Sequence, residues 1–144
     1  MTEQAHLKLR VEEGATAQMQ TFVEAFAARH RLGNDDRARA LIVAEELITN
    51  LVKYGYRDRT GAGAAEVHLL LDEGRLTIEL NDDACAFDPF DAPAPDPNRP
   101  PECRPVGGLG LRIVRLLSEG RQYSRVNERN VTRVTLRLSS SSES

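Results

Sequence analysis

Three groups of residues have types and spacings that could do chemistry. The first lies in AEELITNLVKYGY, residues 44–56, where Glu46 and Asn50 stand four apart. Positions i and i+4 share a helix face, so a carboxylate and an amide oxygen would project together. That pair suits a hard cation such as Mg2+, which takes oxygen ligands. A carboxylate left free by the metal can accept the proton of a hydroxyl nucleophile. The plainer reading is an asparagine on a solvated face beside a routine glutamate. Against it, Asn50 sits among Leu47, Ile48, Leu51 and Val52, and asparagine is a poor helix former. Glu45 is about 100° round the helix and reads as a surface acid. Lys53 suits either a phosphate contact or a solvated position favoured by the helix C-terminus.

The second group is Asp82 and Asp83, directly after the apolar strand LTIEL. At the mouth of a core, the Asp82 carboxylate either accepts a hydrogen bond from an exocyclic amine such as that of adenine, or closes the strand as an Asx turn. Phe87 and Pro89 either wall an apolar base pocket or plug the core. The third group is Gly107, Gly108 and Gly110, ahead of LRIVRLL. Amides at a helix start point at anions, and glycine lets a backbone approach a phosphate closely. A structural cap uses the same residues. GxxxxGK[ST] is absent, and GGLG is neither GxGxxG nor placed directly after a strand, so P-loop and Rossmann readings fail. All seven prolines lie between Pro89 and Pro105. Such a segment excludes helix and central strand. It predicts a long loop, a lid over about residues 91–106, beside a phosphate nest.

The elements that would position these groups follow from periodicity. Residues 6–11 alternate as a strand. Residues 15–31 form a helix with Phe22, Val23 and Phe26 as its stripe, stopped by Gly33 and Asn34. Asn34 or Asp35 caps a second helix, 36–54. Its Leu41, Ile42, Ala44, Leu47, Ile48, Leu51 and Val52 spread round much of the girth and predict a largely buried helix. Residues 55–63 connect to strands 65–71 and 76–80, joined by a hairpin turn at 72–74. Helix 109–118 and strands 121–126 and 131–138 close the domain, residues 1–138. The tail 139–144 is polar and predicted to be disordered. The order predicts a two-layer α/β sandwich: a mixed, mainly antiparallel sheet with the helices on one face.

At 144 residues, 40% apolar and 28% charged, the chain fits one globular domain. No run approaches the roughly 20 apolar residues of a membrane span, and MTEQAHLKLR lacks the apolar stretch of a signal peptide, so a cytoplasmic location is expected. A net charge of -3 argues against a general nucleic-acid binder. Cys85 and Cys103 lack zinc-site spacing and are expected to be reduced.

Taken in order, EELITN, DDACAFDP and GGLGLRIV resemble the N, G1 and G2 boxes of the GHKL (Bergerat-fold) ATPase superfamily. More narrowly, the chain resembles the stand-alone anti-sigma-factor serine/threonine kinases of the RsbW and SpoIIAB type. Glu46, Asn50 and Tyr56 match the first box. Asp82, Phe87, Asp88 and Pro89 match the second. Gly107, Gly108, Gly110 and Leu111 match the third. Two positions depart: Lys53 stands where the family often has histidine, and Ala84 replaces a glycine, where its methyl would crowd adenine or restrict the turn. The family often places a threonine of its last strands near the nucleotide, which leaves Thr132 and Thr135 as candidates.

The resemblance implies ATP and Mg2+ as cofactors, with the metal on Asn50. Glu46 would orient or deprotonate a serine of a STAS-domain anti-anti-sigma partner. Gly108, Gly110 and the amides at Leu109 and Leu111 would hold phosphates. Arg104 would reach the γ-phosphate or stay solvated. A sigma factor or another regulator, and a second copy of the chain, are further partners the resemblance implies; neither nucleic acid nor membrane is. The alternative is a nucleotide-dependent binding switch without phosphate transfer, a reading favoured by Ala84 and Lys53.

Overall fold

The computed structural model describes residues 2–55, 63–84, 86, 88–90 and 109–139. Strand β1 (Thr2–Val11) is four residues longer at its start than alternation alone suggested. Its length is set by its neighbour: β2 (Gly63–Asp72) pairs with it antiparallel from Thr2↔Asp72 to Val11↔Gly63. Strand β3 (Arg75–Asp82) returns along β2 through a two-residue turn in which Glu73 and Gly74 have φ of 49° and 79°. Positive φ at both central residues is the type I′ geometry that matches strand twist. Asn127 and Glu128, with φ of 51° and 64°, make the same turn between β4 (Gly120–Val126) and β5 (Arg129–Arg137).

The sheet order is β1-β2-β3-β5-β4, and each of these neighbouring pairs is antiparallel. The predicted α/β sandwich is therefore present, with the antiparallel character complete among the described strands. One face carries Leu9, Val67, Leu69, Ile78, Val134 and Leu136, all buried. Helices α1 (Ala15–Arg29), α2 (Asn34–Asn50) and α3 (Leu109–Leu117) lie on the described chain between these strands. They add Met19, Val23, Phe26, Val43, Ile48 and Val114 to one continuous core. Alternate residues on the strands thus face helices, and the opposite face carries polar pairs such as Glu79–Arg133. No helix among the described residues is long and apolar enough to cross a membrane.

Three expectations are corrected. Helix α1 ends at Arg29 rather than near 31. Arg31 takes φ 56°, its N–H bonds to Ala28 O, and Leu32 N–H reaches back to Ala27 O at 2.9 Å. This is a Schellman end, made here without the usual glycine. Helix α2 begins at Asn34, so Gly33 takes the N-cap position and neither Asn34 nor Asp35 does. Asp36 is instead buried and turned toward the end of β5. Finally, Ile42, counted from sequence among the buried apolar residues of α2, is 42% exposed.

Candidate functional site

The ends of α2 decide which groups meet. Near its start, Asp36 accepts hydrogen bonds from the backbone N–H of Ser139 at 3.1 Å and from its hydroxyl at 3.1 Å. Arg39 donates to Asp36 at 2.6 Å, to Arg137 O at 2.7 Å and to Leu117 O at 3.4 Å. These bonds pin the start of α2 to the end of β5 and the end of α3. From Arg39 to Asn50 the helix advances about 16 Å. From Arg137 back to Asn130 the strand covers about 24 Å. Because β3 and β5 are antiparallel, Asp82 faces Asn130 in the ladder. The Glu46–Asn50 turn and the Asp82 carboxylate therefore belong to the same end of the sandwich. A groove of about 1070 Å³, lined among others by Asp35, Arg39, Ile42 and Arg137, lies at the opposite end.

Glu46 and Asn50 are both half-buried. The Asn50 amide Nδ2 donates to Glu46 O at 2.9 Å. That bond leaves Oδ1 as the outward-acting atom, and oxygen is the donor a hard cation takes. The asparagine thus fits a Mg2+ ligand, completed by phosphate oxygens. Among the described residues no cluster of three acidic, histidine or cysteine side chains gathers. Immediately after Asn50 the helix widens into a π-helical turn, Leu51–Gly55. Side-chain bonding to the i−4 carbonyl bends helices, and single π-turns often mark functional sites. Lys53, on this turn, is exposed. Glu45 accepts a bond from Gln20 Nε2 on α1, so it is directed away from Glu46, as its position on the helix predicts.

Asp82 is the last residue of β3 and is 3% exposed. Its Oδ1 accepts the Asn130 amide at 2.8 Å and the Ala84 N–H at 3.0 Å. The Asx-type closure considered for Asp82 is present, and both of these bonds use one oxygen. Burial raises the Asp82 carboxyl above the ordinary aspartate range; the Asn130 and Ala84 bonds and Arg125 oppose that shift, while nearby Asp83 adds to it. Ala84 is buried, 3% exposed, and is not among the residues of positive φ. The turn therefore accepts alanine without strain. Asp88 accepts the Phe90 N–H at 2.9 Å, and Pro89 beside it is buried. Arg115 of α3 donates to Phe90 O, tying this turn to the helix that the glycines open.

Strand phase separates the two threonines. Thr132 is 5% exposed, on the helix-covered face one step from Asn130 and Asp82. Thr135 lies on the opposite face, where its hydroxyl meets Thr77 at 3.4 Å. It stands apart from Asp82. Helix α3 begins at Leu109 and includes Gly110 and Leu111 in its first turn. Tyr56, Phe87, Arg104, Gly107, Gly108, both cysteines and the lid over about 91–106 lie outside the described residues. So does the tail beyond Ser139, which is itself held by Asp36.

Three residues at this end were not singled out from sequence. Asn130, 4% exposed, receives the Tyr123 hydroxyl at 2.5 Å and Arg125 Nη1 at 2.9 Å on its Oδ1. Arg125 Nη1 also donates to Ala84 O at 2.9 Å. A signal existed: Asn130 shares the phase of Thr132, Val134 and Leu136, and asparagine is depleted in strands.

Residues 9–136 match the family described as histidine kinase-like ATPase domain. The chain therefore belongs to that family, and its fold is the Bergerat ATP-binding fold expected from the three boxes. It is 29% identical over 121 residues to the serine/threonine-protein kinase BtrW of Bordetella bronchiseptica, covering 83% of each chain. The crystal structure of the RsbU and RsbW domains of Rv1364c from Mycobacterium tuberculosis superposes with a TM-score of 0.67 at 17% identity. That match covers 94% of this chain and 32% of the longer one; it concerns the fold.

Proposed function

Proceeding from that membership, we propose that the chain is an ATP-dependent serine/threonine protein kinase and anti-sigma-type regulator that phosphorylates a STAS-domain anti-anti-sigma protein. One observation supports the reading most: α2, pinned at Arg39 to the end of β5, runs from there along the sheet whose other end pairs Asn130 with the buried Asp82. The name of the relative BtrW, a serine/threonine-protein kinase, supports the same class of chemistry.

Asp82 accepts the exocyclic amine of adenine through its carboxylate. Thr132 lies on the same face and serves the same pocket. Amides at the start of α3 and of the preceding glycines receive phosphate oxygens, because a helix N-terminus favours negative charge. Asn50 would hold magnesium through its amide oxygen, and the metal would supply positive charge to neutralise the phosphates. Glu46 orients the partner's serine and takes its proton while the serine Oγ forms a bond to the γ-phosphorus. The bond from that phosphorus to the β-γ bridging oxygen breaks, and ADP leaves. Positioning and charge stabilisation supply most of the acceleration in such transfers.

The test is incubation of the chain with labelled ATP, Mg2+ and purified STAS proteins, followed by phosphoserine mapping. Transfer to one serine of one partner is the expected result. Tight ATP binding and partner capture without transfer would replace the kinase reading by the binding switch.

A further inference from the structure

We propose that Asn130 is a positioning residue that orients the Asp82 carboxylate toward a base amine, with Tyr123 and Arg125 of the edge strand β4 fixing the direction of its amide. The proposal rests on the nucleotide-binding reading above and adds a residue outside the three boxes.

An amide side chain can present either its oxygen or its nitrogen to a neighbour. Here the choice is forced from behind. Two donors, the Tyr123 hydroxyl and Arg125 Nη1, converge on Asn130 Oδ1. Nδ2 must then point at Asp82 Oδ1, which it meets at 2.8 Å. Arg125 also holds Ala84 O, and Ala84 N–H holds the same Asp82 oxygen. The carboxylate is thus fixed through Oδ1 alone. Among the described residues Oδ2 takes no hydrogen bond, and it is the oxygen left for a donor from outside the protein. Asp82, Ala84 and Asn130 are buried and Tyr123 is half-buried, so the bonds among them resist competition from water, while Arg125 reaches in from an exposed position on the edge strand.

The charged state matters as much as the direction. Only an ionised carboxylate presents acceptors alone to an amine. Burial and the nearby Asp83 favour the neutral form. Asn130, the Ala84 N–H and Arg125 favour the ionised one. Removing the amide removes the largest opposing group, so Asp82 should hold its proton to higher pH.

The experiment uses the full chain, with the Asp82 side-chain carboxyl carbon followed by NMR as pH is varied and ATP affinity titrated over the same range. Asn130→Ala is expected to raise the Asp82 midpoint by about one pH unit, equivalent to a roughly tenfold change in protonation equilibrium. ATP affinity should fall about tenfold near that midpoint and recover at higher pH. Tyr123→Phe removes one of the two donors and should shift the midpoint the same way by less. An unchanged midpoint in both variants would overturn the proposal, as would an affinity loss equal at every pH. If Asn130→Ala does not fold, Tyr123→Phe decides alone. A midpoint that moves in a protein that binds no ATP would uphold the positioning role and reject the nucleotide reading.

Discussion

Asn130 stands directly opposite Asp82 in the β3–β5 ladder and donates its amide to the carboxylate at 2.8 Å. The contact joins the strand that ends in an acidic turn to a strand placed nearly fifty residues later. Sequence order hides such a pair. The carboxylate lies in a buried place that disfavours its charge, and the Asn130 amide opposes part of that cost.

That cost gives the first prediction. The folded Asp82 carboxyl is raised above its ordinary range, with burial the first cause. A raised folded value contributes stability below the unfolded pKa and loses it as pH rises through the folded one. Asp82→Asn removes the titration while keeping an oxygen for Asn130 and Ala84 N–H. The variant should therefore gain thermal stability relative to the native chain more at pH 7 than at pH 4. Its ATP affinity should fall, because an amide nitrogen would face the base amine or compete for its place. Melting curves at both pH values, with ATP titration at pH 7, check both halves. A stability difference that grows as pH falls would refute the sign.

The second prediction concerns Ala84. The motif comparison suggested that glycine would relax this turn. The backbone there has no positive φ, and the methyl is part of the core. Ala84→Gly should then lose about 1–2 kcal/mol, from one buried methyl and added freedom in the unfolded chain. ATP affinity should not tighten. Urea denaturation and calorimetry decide; tighter binding without loss of stability would show that the turn prefers glycine after all.

The third prediction lies at the far end of α2. Arg39 bridges Asp36, Arg137 O and Leu117 O, and Asp36 is buried. Arg39→Ala leaves a buried carboxylate with the Ser139 donors but without its cation. A loss of about 2 kcal/mol is expected, the value for a charged hydrogen bond and below that for a fully buried broken pair, because the Arg39 side chain is 25% exposed. Removing the exposed Arg37–Glu24 pair should cost no more than about 0.5 kcal/mol. Equal effects from the two would mean that the Arg39 bridge contributes little.

Much of this was legible in the sequence because it is local. The alternation of HLKLRV, the Glu-Gly turn and the apolar stripe of α2 each depend on neighbours a few residues away. The three chemical groups were legible for the same reason. What escaped depends on pairing between distant segments. Thr132 and Thr135 are alike in sequence, and only the register against Leu80 and Thr77 assigns them to different faces. Asn130 acquires meaning only when Asp82 lies across from it. The Schellman end at Arg31 carries no glycine to announce it. The burial of Asp36 depends on Ser139, more than a hundred positions away.

The last prediction separates phosphate transfer from mere capture. Glu46→Gln should abolish phosphorylation of the partner while ATP binding survives. Glutamine nearly matches glutamate in size, so α2 and its packing through Leu47 and Ile48 should persist. The replaced group is half-buried, and among the described residues its carboxylate holds no hydrogen bond whose loss would unfold the helix. What disappears is the negative charge that takes the serine proton and keeps the hydroxyl in line. Glu45 cannot stand in, since it is drawn toward Gln20 on α1. Positioned proton transfer contributes a factor of ~10²–10⁴, well above assay noise. Affinity should change little, because Asn50, Asp82 and the amides at the start of α3 hold the nucleotide in this mechanism. The measurement is paired: phosphoserine formed on the partner, and ATP affinity by titration, in both proteins. Full transfer by the variant would remove Glu46 from the mechanism and direct attention to another base at this end of the sandwich. Loss of ATP binding together with transfer would instead make Glu46 a ligand for the nucleotide or its metal.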